Sequence, residues 1–97
     1  MKLTYHRLAA SDVRQILEHF EAEAGAHLVA RFLEALQATL GKAVLNPNRF
    51  PPLGDGLSRA NLDGFSYHVI YEPALDGIRI LIVRHHRRDP RFGLDRR

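Results

Sequence analysis

Apolar residues recur along this chain with two different periods. From Ala10 onward, Val13, Ile16, Leu17, Phe20 and Ala24 fall at the spacing that lines one face of an α-helix, leaving Arg14, Gln15, Glu18, Glu21 and Glu23 for water. Ala9-Ala10-Ser11-Asp12 reads as the helix start, with the acidic residue in the opening turn, and Gly25 as its end. A second stripe, Val29, Phe32, Leu33, Leu36, Leu40 and Val44, predicts a further helix that closes at Asn46, which Pro47 holds out of the α region. The short junction around Gly25 makes the two an antiparallel hairpin.

The period then changes to two. Phe65, Tyr67, Val69 and Tyr71 alternate with Ser66, His68, Ile70 and Glu72, which predicts a strand ended by Pro73. Ile78 to Val83 is apolar on both faces apart from Arg79, the pattern of a central strand covered on both sides. Asp76-Gly77 joins these two as a hairpin, and Arg59 to Leu62 adds an edge strand, giving a three-stranded antiparallel meander. Ahead of the helices, Leu3 to His6 alternates as a short first strand. Asn46 to Gly56 holds Pro47, Pro51, Pro52, Gly54 and Gly56, and is expected to be an irregular exposed connection. The expected class is therefore α+β: an N-terminal strand, a helical hairpin and a meander on which the apolar helix faces are buried.

Composition narrows the class. At 97 residues, with 45% apolar and 26% charged positions, the chain is expected to form one domain over 1–97 with a real core. The absence of cysteine excludes disulfides and thiolate metal sites and points to the cytoplasm. No apolar run is long enough to span a bilayer and no signal-peptide pattern opens the chain, so no membrane partner is expected.

Charge is unevenly placed. Residues 1–48 balance, and residues 49–97 carry all of the formal +3. Arg84, Arg87, Arg88, Arg91, Arg96 and Arg97 crowd the last fourteen positions against Asp89 and Asp95 alone. Such an end attracts an acidic macromolecule without naming it.

Most catalytic chemistries are missing. His85 and His86 are consecutive in an extended chain and so point to opposite faces, which predicts no metal site. Ser11, Ser58 and Ser66 lie outside any nucleophile turn, and no glycine-rich loop bridges a strand to a helix, so no cofactor is expected. What remains is a cationic, imidazole-rich set in the strand half: Arg59, His68, Arg84, His85, His86, Arg87, Arg88 and Arg91. It suits anion binding. It also suits metal-free RNA cleavage, with His68, His85 or His86 as proton-transfer candidates and Arg59, Arg84 and Arg88 as phosphate clamps.

Several segments together resemble the RelE/ParE superfamily of toxins from type II toxin-antitoxin systems, also called plasmid stabilisation proteins. They are Leu3-Thr4-Tyr5, Ala10 to Ile16, Phe32 to Leu36, Asn46-Pro47, Arg59, Phe65 to Tyr71, Ile80 to His85 and Arg87-Arg88-Asp89-Pro90. The resemblance implies a toxin neutralised by a cognate antitoxin in a hetero-oligomer. RelE-like members cut mRNA in the ribosomal A site with sheet lysines and arginines and a late tyrosine. Here His68 stands where arginine is typical, Phe92 replaces the tyrosine, and Lys2 and Lys42 are the only lysines. The carboxyl-terminal pattern is closer to ParE-like members, which bind DNA gyrase. That branch implies target contacts at Arg84, His85, Arg87, Arg88, Arg91 and Phe92, and antitoxin contacts at Phe20, Val29, Phe32, Leu36, Tyr67 and Tyr71. A ribosome-dependent mRNA endonuclease and a non-toxic antitoxin-binding module are the alternatives.

Overall fold

The computed structural model describes residues 2–97. Its order is β1 (Lys2–Tyr5), α1 (Arg7–Ala24), α2 (Ala26–Leu45), β2 (Pro52–Gly54), β3 (Leu57–Asn61), β4 (Tyr67–Ala74) and β5 (Gly77–His85). The strands form one sheet of five in the order β1-β5-β4-β3-β2. β1 runs parallel to β5, with Leu3 opposite Ile78 and Tyr5 opposite Ile80, and the remaining pairs are antiparallel.

The helices cover one face of this sheet. Phe20 from α1 and Phe32, Leu36 and Leu40 from α2 pack with Val69, Tyr71, Ile78, Ile80 and Val83 in the main core. At one end the rings of Phe20, Phe32, Phe65 and Tyr67 meet at centroid distances of 5.2 to 5.8 Å, in tilted and edge-on arrangements that aromatic quadrupoles favour.

On the opposite face lies a smaller core of Leu57, Ile70, Leu81 and Ile82, covered by Phe92 from the C-terminal segment. Both faces of β5 are therefore buried, but its apolar run also contains a bulge. Pairing with β4 jumps from Ile70↔Ile82 to Tyr71↔Ile80, leaving Leu81 as the extra residue. Leu81 and Ile82 thus both serve the second face, and beyond them Val83 returns to the helix face while Arg84 lies opposite His68.

Five expectations change. α1 begins at Arg7, not Ala10, because the His6 side chain caps it, its Nδ1 accepting the Leu8 N–H at 3.1 Å. Asp12 is consequently past the first turn and buried, where it serves β5 rather than the helix dipole. The proline-rich connection contains β2: Asp55 and Gly56, with φ of 54° and 77°, form the left-handed pair that a two-residue hairpin turn needs, and Gly54 pairs with Leu57. β4 continues through Pro73, since β3 pairing stops at Ser58↔Tyr71 and a missing N–H beyond that point costs no ladder bond on that side. The meander is accordingly part of a five-stranded sheet rather than three strands alone.

Candidate functional site

The second face of the sheet and the segment that crosses it carry the cationic cluster. Arg84 is its anchor, and it is buried. Its Nε donates to His68 Nε2 at 2.9 Å, and its Nη1 donates to the carbonyls of Asp89, Pro90 and Phe92 at 3.3, 3.0 and 2.9 Å. Arg84 thus holds the chain that follows β5 and offers little to a target, contrary to its expected role as a contact or phosphate clamp.

A hydrogen-bonded line continues from it. Guanidinium nitrogens only donate, so His68 Nε2 is an acceptor and its proton sits on Nδ1. That Nδ1–H donates to His86 Nδ1 at 2.9 Å, and Arg59 Nη2 approaches the same His86 nitrogen at 3.3 Å. The two imidazoles lie edge to edge, nearly coplanar, with centroids 5.1 Å apart and 13° between their planes. His86 therefore carries its proton on Nε2. His85 has the same polarity, because its Nδ1 accepts the Arg87 N–H at 3.0 Å.

Electrostatics agrees with these tautomers. Burial first, then the charges of Arg59 and Arg84, pull the His68 imidazole down to about 3. His86 is lowered too, by desolvation and then by Arg59 and His85. Protonating either ring would set an N–H against another donor.

The C-terminal segment is tied down at further points. Arg96 donates from both terminal nitrogens to the Asp12 carboxylate, at 2.7 and 3.1 Å, and from Nη1 to the Leu81 carbonyl at 2.9 Å. Arg97 reaches Glu72 at 3.2 Å and the Asp55 carbonyl. Phe92 packs against the smaller core, with the guanidiniums of Arg88 and Arg96 4.0 and 5.0 Å from its ring centroid. The crowded arginines thus divide into holders, Arg84, Arg96 and Arg97, and presenters, Arg87, Arg88 and Arg91, the last paired only with the exposed Asp89.

The other predicted residues separate as well. His85 turns toward Tyr67, edge-on at 4.9 Å, while His86 turns to His68. Phe20, Phe32, Leu36 and Tyr71 are core residues with almost no accessible surface, so they cannot form the expected antitoxin contacts on this folded chain; Val29 and Tyr67 are half-buried. Their apolar periodicity reported burial, not docking. Asp12 was missed as a site residue because only its helical neighbours, and not Val83 or Arg96, are visible in local spacing. Among the described residues no three His, Asp or Glu side chains converge as a metal site would require.

The same fold occurs in a solved structure. A chain from "Chromosomal ParDE TA system from P. aeruginosa" superposes with a TM-score of 0.73 at 19% identity, over 88% of this chain and 95% of that one. The family model described as "ParE toxin of type II toxin-antitoxin system, parDE" matches residues 3–90, and the chain belongs to this ParE toxin family. No curated protein matches it.

Proposed function

We propose that this chain acts in the cytoplasm as a single toxin domain that inhibits DNA gyrase by binding it, and that a cognate antitoxin silences it in a hetero-oligomer. The observation that carries the reading is the division among the arginines after β5. Arg84, at the end of β5, holds the carbonyls of Asp89, Pro90 and Phe92, and Arg96 ties the same segment to α1 and to the Leu81 carbonyl, so that Arg87, Arg88 and Arg91 stand exposed on a fixed backbone. Preset cations steer and orient an acidic partner better than a loose basic tail does, because less freedom is lost on binding. His85, beside them, adds an N–H donor.

The mRNA endonuclease alternative is disfavoured by proton placement. A general base needs a free lone pair near the phosphate, and His68 and His86 have theirs engaged while the outward nitrogens of His85 and His86 carry protons. A general acid needs an imidazolium, which the lowered His68 and His86 values oppose at neutral pH. His68 and His86 are thus set to hold hydrogen bonds rather than to move protons.

For the antitoxin, the outer edge of β1 is the better-supported surface, since Leu3 and Tyr5 remain 42% and 39% exposed there while Phe20, Phe32, Leu36 and Tyr71 are buried. An extended partner segment can add to such an edge. A plasmid supercoiling assay tests the main reading: the purified chain should inhibit gyrase with a saturable dose response. Undiminished supercoiling at saturating protein removes gyrase as the target, and a codon-positioned cut in a toeprinting assay would install the ribosome in its place. Normal growth on induction without antitoxin would leave only the non-toxic binding module.

A further inference from the structure

β1 stops at Tyr5, opposite Ile80, whereas β5 runs on to His85, so the lane beside the last residues of β5 is not filled by a strand. α1 closes it on one side and the C-terminal segment on the other, leaving a cleft of about 200 Å³. We infer that this cleft docks an acidic peptide segment of a protein partner, receiving one bulky apolar side chain on its floor and an adjacent carboxylate at its rim. The inference deepens the toxin–antitoxin reading by giving a partner its chemistry, but it concerns a place apart from the β1 edge.

The floor is apolar. Ile16, Val83, Tyr67 and Phe92 line it, and Phe92 is held in place by the smaller core and by the guanidiniums of Arg88 and Arg96 against its ring. Removing such surface from water favours an apolar side chain of matching size.

The rim supplies donors and almost no acceptors. His85 offers Nε2–H, because its Nδ1 is taken by the Arg87 N–H. Arg88 lies over Phe92, with its guanidinium edge left for an anion, and Gln15 and His19 complete the α1 side. The one carboxylate in the wall, Asp12, already accepts from the Val83 N–H and from both terminal nitrogens of Arg96. An occupant must therefore bring acceptors, and a carboxylate beside an apolar side chain matches both halves of the cleft. A nucleic acid phosphate would satisfy the rim, yet would leave the apolar floor beneath it uncovered.

The test uses the full chain, ¹⁵N-labelled, without gyrase or antitoxin, so that it can fail while supercoiling inhibition stands, or succeed while inhibition fails. A blocked Phe-Glu dipeptide, its Phe-Gln counterpart and a short single-stranded oligonucleotide are titrated separately. The Phe-Glu probe is expected to shift the amides of Gln15, Ile16, His19, Val83 and His85 saturably. Binding should weaken about tenfold with Phe-Gln, the loss of one charge-assisted contact, and comparably for the Gln15→Glu variant, whose exposed helical position leaves the fold unchanged. Absence of saturable shifts at those amides, equal affinity for the two dipeptides, or an oligonucleotide that moves the same amides where Phe-Glu does not, would each overturn the proposal.

Discussion

Asp12 Oδ2 lies 2.7 Å from Arg96 Nη1, joining the second turn of α1 to a residue 84 positions later. Both side chains are nearly out of water, at 10% and 9% exposure. The same oxygen accepts the buried Val83 N–H at 3.1 Å, and Arg96 also satisfies the Leu81 carbonyl. One ion pair therefore closes the backbone of β5 where β1 no longer covers it and fastens the C-terminal segment over the second face.

Breaking either side of that pair strands a buried charge. Asp12→Ala or Arg96→Ala is expected to lower stability by about 3–5 kcal/mol, while the double variant loses clearly less than the sum. Urea unfolding of the four proteins measures the coupling. Additive losses would mean that the two groups do not depend on one another.

Acid should loosen the protein through His68. Its folded value of about 3 lies below the ordinary 6.5, so the unfolded chain binds the extra proton between those limits. The contribution is fully present above pH 6.5 and is lost as pH falls toward 3. Between pH 7 and pH 5 the loss is about 2 kcal/mol. His68→Gln, which can still accept from Arg84 but does not titrate, should flatten this part of the curve. Parallel pH dependences for the two proteins would show that His68 is not the group responsible.

Gly77 opens β5 directly against β1. A Cβ there would fall on the Lys2 carbonyl, a backbone group that cannot swing aside. Gly77→Ala is expected to cost about 2–3 kcal/mol by pushing β1 off the sheet. Hydrogen exchange should then rise at Thr4 and His6 ahead of the core strands, and unchanged protection at those amides would count against this account of the parallel pair.

Arg87 and Arg91 are the cleanest probes of target binding. Both are exposed, and the pair Arg91 makes with Asp89 has side-chain exposures of 89% and 53%, so it contributes little to folding. Arg87→Ala combined with Arg91→Ala should leave stability within about 0.5 kcal/mol and weaken gyrase inhibition about tenfold or more, with the residual effect falling further in high salt. Full inhibition by the double variant would take the presenting arginines out of the mechanism.

Local spacing was sufficient to determine the helical hairpin and the two long strands, since which face of Val13–Phe20, of Phe32–Val44 or of Tyr67–Tyr71 is apolar depends only on residue order and backbone period. The positive half and the family pattern were equally readable from the chain alone. The hairpin turn at Asp55-Gly56 was written in the sequence too, but the surrounding prolines masked it. Tertiary structure alone decided the rest. Whether Arg84 or Arg87 faces solvent depends on the one-residue bulge at Leu81 and on carbonyls five to eight positions onward. The place of β1 beside β5 and the meeting of Asp12 with Arg96 are contacts between distant segments. A pattern in sequence records how strongly a side chain avoids or seeks water, and only the packed chain determines which neighbour satisfies it.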